Sequence, residues 1–497
     1  MDTSHTSRRD VLLRLASMGA LGAFAALRQR SALAQVPRDA SLHAIKGRVI
    51  ERGDADYELW RQSMVWHRSK PDRYPQIIVQ AKSEQDVIEA VGYAARNKLK
   101  ISVRSGGHNS NGPSLRDGGV VIDVSSMDEI RIDAKSRIAS IQPGVRSEHL
   151  MAVARAQGLS FPVPHCPSVG LSGFTMGGGI GWNYPQCGGV STFSIMAAEI
   201  VTADGRRLLA SPEQNADLYW AVRGAGPGFF GVVTRLFLQL YPLPGAIMAS
   251  SYIFALDRLE TVTSTLAKIR DEHDVRRVEL IVLLMHHPEA PADASPEQSK
   301  ICFFTAFAFE ESEAEATAML KPFADSALAQ QCLVKMENQR FSYEELYERF
   351  FGLDDSAGKM ARYAVDNVLT NEGGRTLHAL AEHLRAAPGK DCHVLASFNM
   401  GLEQKADACF SWAADCFVGC YAIWDAAADD PVFFDWLARS LPMMDPFAVG
   451  HYVNEVEGRG HPERFRQCFS AANWARLQEL RATHDPQGVF HHYLGHS

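Results

Sequence analysis

The densest run of glycine in the chain reads Gly170-Leu171-Ser172-Gly173-Phe174-Thr175-Met176-Gly177-Gly178-Gly179-Ile180-Gly181-Trp182. Such a run carries little side-chain bulk, so its backbone can approach a flat or phosphorylated ligand closely. A Rossmann fingerprint needs Gly-x-Gly-x-x-Gly, and a match that starts at Gly177 places Trp182 at its third glycine. The pattern therefore disfavours a nicotinamide enzyme, while a glycine-rich turn region without a cofactor stays open.

A second glycine turn, Ser105-Gly106-Gly107-His108, follows a predicted strand at residues 100–104. A histidine in such a turn is compatible with a purely structural role. Around the two turns, helices and strands alternate up to about Pro244, which indicates an α+β or α/β unit. The patterns predict helices at 84–97 and 147–156, strands at 120–124 and 137–142, and a hairpin over 199–209 that turns at Asp204-Gly205.

The pattern of predicted elements changes beyond Leu243, where strands alternate with longer helices. This order fits an antiparallel sheet with helices on one face, and hence a second domain in an α+β protein. The predicted strands are 278–285, 301–309, 393–400 and 417–424, and the predicted helices are 256–270, 310–324 and 376–386.

The first residues resemble an export signal rather than part of the fold. Ser7-Arg8-Arg9-Asp10 precedes an apolar stretch from Leu15 to Leu27, and Ala32-Leu33-Ala34 offers small residues for cleavage. The arginine pair predicts the twin-arginine export machinery as a partner and a periplasmic or secreted location. The stretch is too short and too often interrupted for a stable membrane span. An amphipathic N-terminal helix is the alternative.

Composition and cysteine content restrict the other classes of function. The chain has 497 residues, a net charge of -8 and no long run of one sign, which argues against a nucleic-acid-binding surface. Its nine cysteines are an odd number, so one of them requires an explanation other than a disulfide. The spacings of cysteine and histidine match no metal-ligand pattern, so no metal is expected.

Four motifs occur in an order that resembles a known family. Together they resemble the FAD-binding domain of the berberine bridge enzyme-like oxidases, within the vanillyl-alcohol oxidase superfamily. The C-terminal runs Asn473-Trp474-Ala475-Arg476-Leu477 and Asp485-Pro486-Gln487-Gly488-Val489-Phe490 are similar to the family's terminal helix and its return to the flavin domain. The four motifs are Arg104-Ser105-Gly106-Gly107-His108, Cys166-Pro167-Ser168-Val169-Gly170, Gly177-Gly178-Gly179-Ile180-Gly181 and Asp217-Leu218-Tyr219-Trp220-Ala221-Val222-Arg223-Gly224.

The resemblance implies FAD that is bound covalently. In the family, the histidine of the first motif is bonded to the 8α-methyl group of the flavin, and the cysteine of the second motif to C6. These residues are His108 and Cys166 here, and imidazole and thiolate are suitable nucleophiles for an electron-poor ring. A buried thiol or half of a disulfide is the alternative for Cys166.

Further flavin contacts follow from the same motifs. Val169 matches a position where the family's oxidases keep a small residue beside the flavin, which favours O2 as the electron acceptor. Phe174 departs from the family, since many members carry a histidine there. The predicted cofactor-binding residues, besides His108 and Cys166, are Arg104, Ser105, Gly106, Gly107, Asn109, Ser168, Val169, Gly170, Gly173, Phe174, Gly177, Gly178, Gly179, Gly181, Val233 and Asn454.

Hydride transfer to a flavin requires a group that removes the proton of the substrate's hydroxyl or amine. We predict Tyr421 and Tyr452 first and Glu455 next, with Val169 beside the reacting edge. Packing in the core or at the surface is the alternative for each of these side chains.

The resulting prediction is a secreted FAD-dependent oxidase that acts on a small alcohol, sugar or phenolic substrate and forms H2O2. A flavin-linked dehydrogenase with another acceptor, and a flavin-binding protein without turnover, remain alternatives. The predicted organisation is an export signal at 1–34, an FAD-binding domain at 35–245, a substrate domain at 246–449 and a C-terminal return at 450–497.

Overall fold

The computed structural model describes residues 40–291, 299–350 and 361–496. The predicted export signal at 1–34 lies outside the described residues. From Ala40 onward the chain forms one compact unit by its internal contacts, and the domain boundaries near 245 and 449 stay a prediction. In the ranges described, no helix has both the length and the apolar character needed to cross a bilayer.

The first half of the chain supplies eleven strands and five α-helices within the described residues. The strands are β1 (Arg48–Glu51), β2 (Ile77–Gln80), β3 (Ile101–Arg104), β4 (Val120–Asp123), β5 (Ile130–Asp133), β6 (Ile138–Ile141), β7 (Leu159–Ser160), β8 (Ile195–Val201), β9 (Arg207–Ala210), β10 (Val232–Gln239) and β11 (Tyr241–Pro242). The helices are α1 (Tyr57–Ser63), α2 (Glu84–Arg96), α3 (Ser147–Arg155), α4 (Leu171–Met176) and α5 (Ala216–Val222).

These strands form two main sheets and one short pair. The four-stranded sheet has the order β1-β2-β4-β3, in which β4 runs parallel to β2 and to β3. The five-stranded sheet has the order β5-β6-β10-β8-β9 and is antiparallel. The carboxyl ends of β3 and β4 therefore lie at one edge, where the glycine turn after β3 begins.

The predicted elements of this half are confirmed with small shifts at their ends. Helix α2 starts where Ser83 caps it, because the Ser83 hydroxyl accepts a hydrogen bond from the backbone N–H of Asp86. The hairpin of β8 and β9 turns through Gly205, whose φ of +78° suits a residue without a Cβ.

The second half supplies eight strands and eight α-helices within the described residues. The strands are β12 (Ala246–Ala255), β13 (Glu279–His286), β14 (Lys300–Glu310), β15 (Val334–Phe341), β16 (Arg362–Thr370), β17 (His393–Phe398), β18 (Cys416–Trp424) and β19 (Ala448–Gly450). The helices are α6 (Leu259–Glu272), α7 (Glu313–Ala324), α8 (Ala327–Gln331), α9 (Tyr343–Phe350), α10 (Gly373–Arg385), α11 (Asp430–Met444), α12 (Glu463–Gln467) and α13 (Ala471–His484).

The eight strands form one antiparallel sheet with the order β15-β12-β14-β13-β17-β18-β16-β19. Alternate side chains of β13 face opposite sides: Val282 and Leu284 pack with α6, α7, α10 and α11, while Ile281 and Leu283 face the first half of the chain. This arrangement confirms the predicted α+β fold with an antiparallel sheet that has helices on one face.

Four strands and one long helix of this half were not predicted, for identifiable reasons. Strand β12 carries Ser250 and Ser251 at its centre, and β16 carries buried Asp366 and Asn367, so neither shows an unbroken apolar pattern. Strand β15 lies at the edge of the sheet and is largely exposed, and β19 is only three residues long. Helix α11 contains Pro442, which is unusual inside a helix.

Candidate active site

Two glycine turns meet where β3 ends and where α4 begins. A Cβ on Gly106 would lie 2.5 Å from the backbone nitrogen of Gly170, and a Cβ on Gly170 would lie 2.7 Å from that of Gly106. Gly107 has a φ of +72° and packs against the carbonyl oxygen of Met64. Because neither turn carries side-chain bulk here, residues 105–109 lie directly beside residues 166–170.

This contact brings together the two residues predicted to hold the flavin. The hydroxyl oxygen of Ser168 lies 2.9 Å from Nε2 of His108 and 3.5 Å from Sγ of Cys166, both within hydrogen-bond distance. The ring of Trp66 stacks on His108 with a centroid distance of 5.1 Å, and its Nε1 donates to the His108 carbonyl oxygen at 2.8 Å. One serine hydroxyl thus connects two side chains that are far apart in sequence.

A single cavity of about 440 Å³ extends from these turns to the inner face of the eight-stranded sheet. Sixteen of the predicted site residues line it, whereas Ser168, Gly177, Gly178, Gly179 and Gly181 do not. The lining residues are Arg104, Ser105, Gly106, Gly107, His108, Asn109, Cys166, Val169, Gly170, Gly173, Phe174, Val233, Tyr421, Tyr452, Asn454 and Glu455.

The glycines of the run at 177–181 face other chain segments, whereas Ile180 lines the cavity. A Cβ on Gly177 would lie 2.1 Å from Oδ1 of Asn454, and one on Gly181 would lie 2.3 Å from the carbonyl oxygen of Val163. Gly178 and Gly179 would meet the side chains of Phe410 and Ser191 at 2.8 and 2.7 Å. The small size of these glycines is required by the packing of other chain segments, and their direct contact with a cofactor stays a prediction.

At the sheet side of the cavity, the Tyr421 hydroxyl donates a hydrogen bond of 2.8 Å to Oε2 of Glu455. Burial raises the pKa of Tyr421 well above its ordinary value and raises the pKa of Glu455 as well. Glu455 is therefore a stronger base than an exposed carboxylate once it is ionised. A hydrogen-bonded tyrosine and carboxylate can take up a substrate proton in sequence.

Tyr452 has a different environment, although it lines the same cavity. Its hydroxyl oxygen accepts hydrogen bonds from the backbone N–H of Gly179 at 3.1 Å and from Nδ2 of Asn454 at 2.9 Å. Burial raises the pKa of Tyr452, so the phenol stays protonated at neutral pH. These contacts hold Tyr452 against the glycine run, and Tyr421 is the better placed of the two to exchange a proton with a carboxylate.

Comparison with known proteins shows which proteins this chain resembles. Residues 75–211 match the family of FAD binding domains. (R)-6-hydroxynicotine oxidase of Paenarthrobacter nicotinovorans is 39% identical over 212 residues, which cover 43% of this chain and 45% of that protein. The structure of 6-hydroxy-D-nicotine oxidase from Arthrobacter nicotinovorans superposes with a TM-score of 0.77 at 25% identity and covers 90% of this chain and 97% of that one. Berberine bridge enzyme superposes with a TM-score of 0.74 at 19% identity and covers 91% and 97%.

The chain carries an FAD binding domain and is an FAD-linked oxidoreductase. FAD is accordingly the cofactor, and the structural neighbours have the FAD-binding fold of the berberine bridge enzyme and vanillyl-alcohol oxidase type.

The cavity of this FAD-linked oxidoreductase is suited to such a cofactor. Nε of Arg104 and the hydroxyl of Ser110 are buried and find no hydrogen-bond partner among the described residues, yet both residues line the cavity. Buried polar atoms of this kind are normally satisfied, so they indicate that a polar ligand occupies this end. Arg104 also pairs with Asp123 at 3.2 Å, which fixes its orientation at the end of β3.

The structure corrects the argument from the odd number of cysteines. None of the nine cysteines, all of which lie in the described residues, forms a disulfide. An odd count therefore singles out no cysteine, and half of a disulfide is excluded as the role of Cys166. The position of Cys166 beside Ser168 and the cavity is the stronger argument for its function.

Sequence reasoning missed the residues that hold the segment around Glu455 in place. The Asn367 side chain binds the backbone of Tyr452 twice, accepting from its N–H at 2.8 Å and donating to its carbonyl at 3.1 Å. Asp366 accepts from the backbone N–H of Glu457 at 3.0 Å and pairs with Arg464 at 2.7 Å, with both charged groups buried. Removing one partner of a buried pair costs about 3–5 kcal/mol, so this contact is structurally important. An Asp-Asn pair inside an otherwise apolar strand was the available signal.

Sequence reasoning also missed a buried carboxylate close to the two glycine turns. Glu279, at the start of β13, is fully buried; its Oε1 lies 3.1 Å from Nε2 of His165, and its Oε2 accepts from the backbone N–H of Asn183 at 3.0 Å. His165 lines the cavity and packs edge-on against Trp182. This contact ties the chain just before Cys166 to the eight-stranded sheet.

Proposed function

We propose that this FAD-linked oxidoreductase is a secreted oxidase that holds FAD covalently through His108 and Cys166. It transfers a hydride from a small alcohol, sugar or phenolic substrate to the flavin, and the two electrons then pass to O2 and give H2O2. The observation that carries the proposal is the single cavity, which has the Ser168-linked pair of His108 and Cys166 on one side and the Tyr421–Glu455 pair on the other.

Each part of the chain has a defined task in this reaction. Bound FAD supplies the hydride acceptor. Tyr421 receives the proton of the substrate's hydroxyl as its own proton passes to the Glu455 carboxylate along their hydrogen bond of 2.8 Å. Asn367 and Asp366 keep the backbone around Glu455 fixed, so the proton acceptor is held in one geometry.

Val169 supports O2 as the electron acceptor. It lines the cavity, and its backbone carbonyl is fixed by a hydrogen bond of 3.0 Å from the N–H of Ser147. A valine at this position matches the small residue that the family's oxidases keep beside the flavin, where bulk would hinder O2.

The test uses the purified holoenzyme and a panel of sugars, benzylic alcohols and amines under argon. We expect one donor class to bleach the flavin, and air to restore its colour with one H2O2 formed per flavin reoxidised. Reoxidation by an artificial acceptor but not by air would make the protein a dehydrogenase. A yellow protein that no donor bleaches would be a flavin-binding protein without turnover.

The proposed location rests on Arg8 and Arg9, which precede the apolar stretch and the small residues at 32–34. Replacing both by lysine, which keeps the charge, is expected to leave the precursor in the cytoplasm because the twin-arginine machinery requires the guanidinium pair. Fractionation and immunoblotting measure the distribution, and a variant with Arg28 and Arg30 replaced by lysine is the matched control. Export of the Arg8→Lys, Arg9→Lys precursor at the control's rate would refute this route.

A further inference from the structure

Ser168 has a position that direct contact with a cofactor does not explain. The sequence predicts it as a flavin contact, yet it is not among the residues that line the cavity. Its hydroxyl oxygen lies 2.9 Å from Nε2 of His108 and 3.5 Å from Sγ of Cys166, and both of those residues do line the cavity. The hydroxyl therefore contacts both predicted attachment points from outside the cavity.

The fold holds these contacts from both sides. The N–H of Ser147 donates to the carbonyl of Val169 at 3.0 Å, which fixes the turn that carries Ser168. Trp66 stacks on the His108 ring with a centroid distance of 5.1 Å, and its Nε1 donates to the His108 carbonyl oxygen at 2.8 Å. The serine hydroxyl and the imidazole are thus held at hydrogen-bond distance by contacts within the protein.

A bond from Cys166 to the flavin requires removal of the thiol proton. The thiolate is the nucleophilic form, and an ordinary thiol, with a pKa of about 8.5, is largely protonated at neutral pH. A base must therefore accept the proton as the bond forms. Ser168 can accept a hydrogen bond from the thiol while its own O–H donates to Nε2 of His108, which gives the proton a path of two hydrogen bonds.

The same contacts set the order in which the two bonds form. Because Nε2 of His108 faces Ser168, the bond to the flavin falls to Nδ1 of the ring. A neutral imidazole that is substituted at Nδ1 has a single tautomer, in which Nε2 carries no hydrogen and can accept one. Attachment at His108 therefore prepares the proton acceptor that attachment at Cys166 requires.

Other titratable groups also face the Cys166 thiol. Tyr347 interacts with it electrostatically, but burial raises the pKa of this phenol, so it stays protonated at neutral pH and cannot take up the proton. His165 precedes Cys166 in the chain and lines the cavity, and its Nε2 lies 3.1 Å from Oε1 of the buried Glu279. His165 is therefore the competing acceptor, and its replacement belongs in the test.

We propose that Ser168 passes the thiol proton of Cys166 to Nε2 of His108, and that Cys166 is attached to the flavin after His108. This inference rests on the covalent attachment in the proposed function and adds the residue that promotes its second bond. In that step the S–H bond of Cys166 and the C6–H bond of the flavin break, and the S–C6 bond forms. The two electrons and two protons that are released reduce O2 to H2O2, so atoms and electrons balance.

The first measurement follows the two attachments separately. The full chain, produced without riboflavin, is mixed with FAD in air at neutral pH and quenched in acid at intervals. Acid-stable flavin absorbance reports any attachment, and iodoacetamide labelling of the unfolded chain, read by peptide mass, reports the fraction of Cys166 that is still unbonded. We expect Ser168→Ala to form the Cys166 bond about a hundredfold more slowly, as for loss of a positioned proton-transfer group, and the His108 bond at the wild-type rate.

Two variants separate the hydroxyl from the shape of the turn. Ser168→Thr keeps a hydroxyl and is expected to retain most of the wild-type rate at Cys166. Ser194→Ala is the matched control, since the Ser194 hydroxyl lies 2.9 Å from that of Tyr241 and outside the cavity. It is expected to leave the rates of both attachments unchanged.

A pH series distinguishes proton transfer from a structural defect. At about pH 9.5, where an ordinary thiol is largely ionised, no base is needed. The rate of the Cys166 bond in Ser168→Ala should then approach that of the wild type. His108→Ala, which lacks the acceptor, should show the same slow bond at Cys166 at neutral pH and the same recovery at high pH.

The outcomes separate the relay from the covalent attachment itself. Equal rates at Cys166 in Ser168→Ala and the wild type at neutral pH would overturn the relay, and so would a slow rate that persists at high pH. A slow rate in His165→Asn with Ser168→Ala unaffected would overturn it in favour of His165. A wild-type chain without acid-stable flavin would instead contradict the covalent attachment in the proposed function.

Discussion

The polypeptide of the His108→Ala, Cys166→Ala double variant is expected to be colourless after unfolding in acid, whereas the wild-type polypeptide is expected to retain its flavin. Both predicted bonds start from these two side chains, which lie on either side of the Ser168 hydroxyl. Without the imidazole and the thiol, neither predicted bond to the flavin ring can form. Each single variant is expected to keep one bond and therefore an acid-stable flavin.

Absorbance and fluorescence of the acid-precipitated polypeptide measure this retention. Cys332→Ala is the matched control, because Cys332 is also partly exposed but its Sγ contacts the carbonyl of Ala329, away from the cavity. Flavin that washes out of the wild-type protein in acid would contradict covalent attachment. Flavin that stays on the double variant would place the bonds at other residues.

Glu455→Gln is expected to slow the reduction of the flavin by substrate about 10²–10⁴-fold, the usual contribution of a positioned general base. The amide keeps the shape of the side chain and a contact with the Tyr421 hydroxyl, but it cannot take up a proton. Tyr421→Phe is expected to slow the same step, because it removes the group that connects the substrate to the carboxylate.

The pH dependence gives this prediction a second readout. Burial raises the pKa of Glu455 above its ordinary value of 4.5, so the protonated, inactive form persists to higher pH than for an exposed glutamate. The rate of flavin reduction should therefore rise with pH as Glu455 ionises, with a midpoint above 4.5. In Glu455→Gln this rise should disappear.

Stopped-flow measurement of flavin bleaching under argon, across a pH series, gives these rates. Tyr219→Phe is the matched control, since Tyr219 is buried and its hydroxyl donates to the carbonyl of Ile195, away from the cavity. If Glu455→Gln reduced the flavin at the wild-type rate with an unchanged pH profile, the proton acceptor would have to be another group.

The sequence predicted the fold correctly where the pattern of apolar residues was regular. Helix α2 shows apolar residues at helical spacing after a serine cap, and β4 is a short run of buried β-branched residues. The secondary structure of such elements is determined by the residues within them. Strand β16 was not predicted from the sequence. The carboxylate of Asp366 can be buried in a strand only because it pairs with Arg464, which is distant in sequence.

The candidate site was likewise predictable from the sequence only in part. His108 and Cys166 were found because each belongs to a compact motif whose order along the chain resembles one family. Tyr421 and Glu455 were candidates by residue type alone, and their 2.8 Å hydrogen bond appears only when β18 and β19 pair with opposite edges of β16.

By itself, the sequence determined the two glycine turns, because those motifs are local and depend on backbone geometry over a few residues, and its resemblance to one family predicted FAD. The tertiary structure decided which side chains share a cavity. It placed Ser168 between His108 and Cys166, turned the glycines at 177–181 towards other chain segments, and brought Tyr421 within hydrogen-bond distance of Glu455. These features depend on contacts between residues distant in sequence, which pack together only after the sheets have formed.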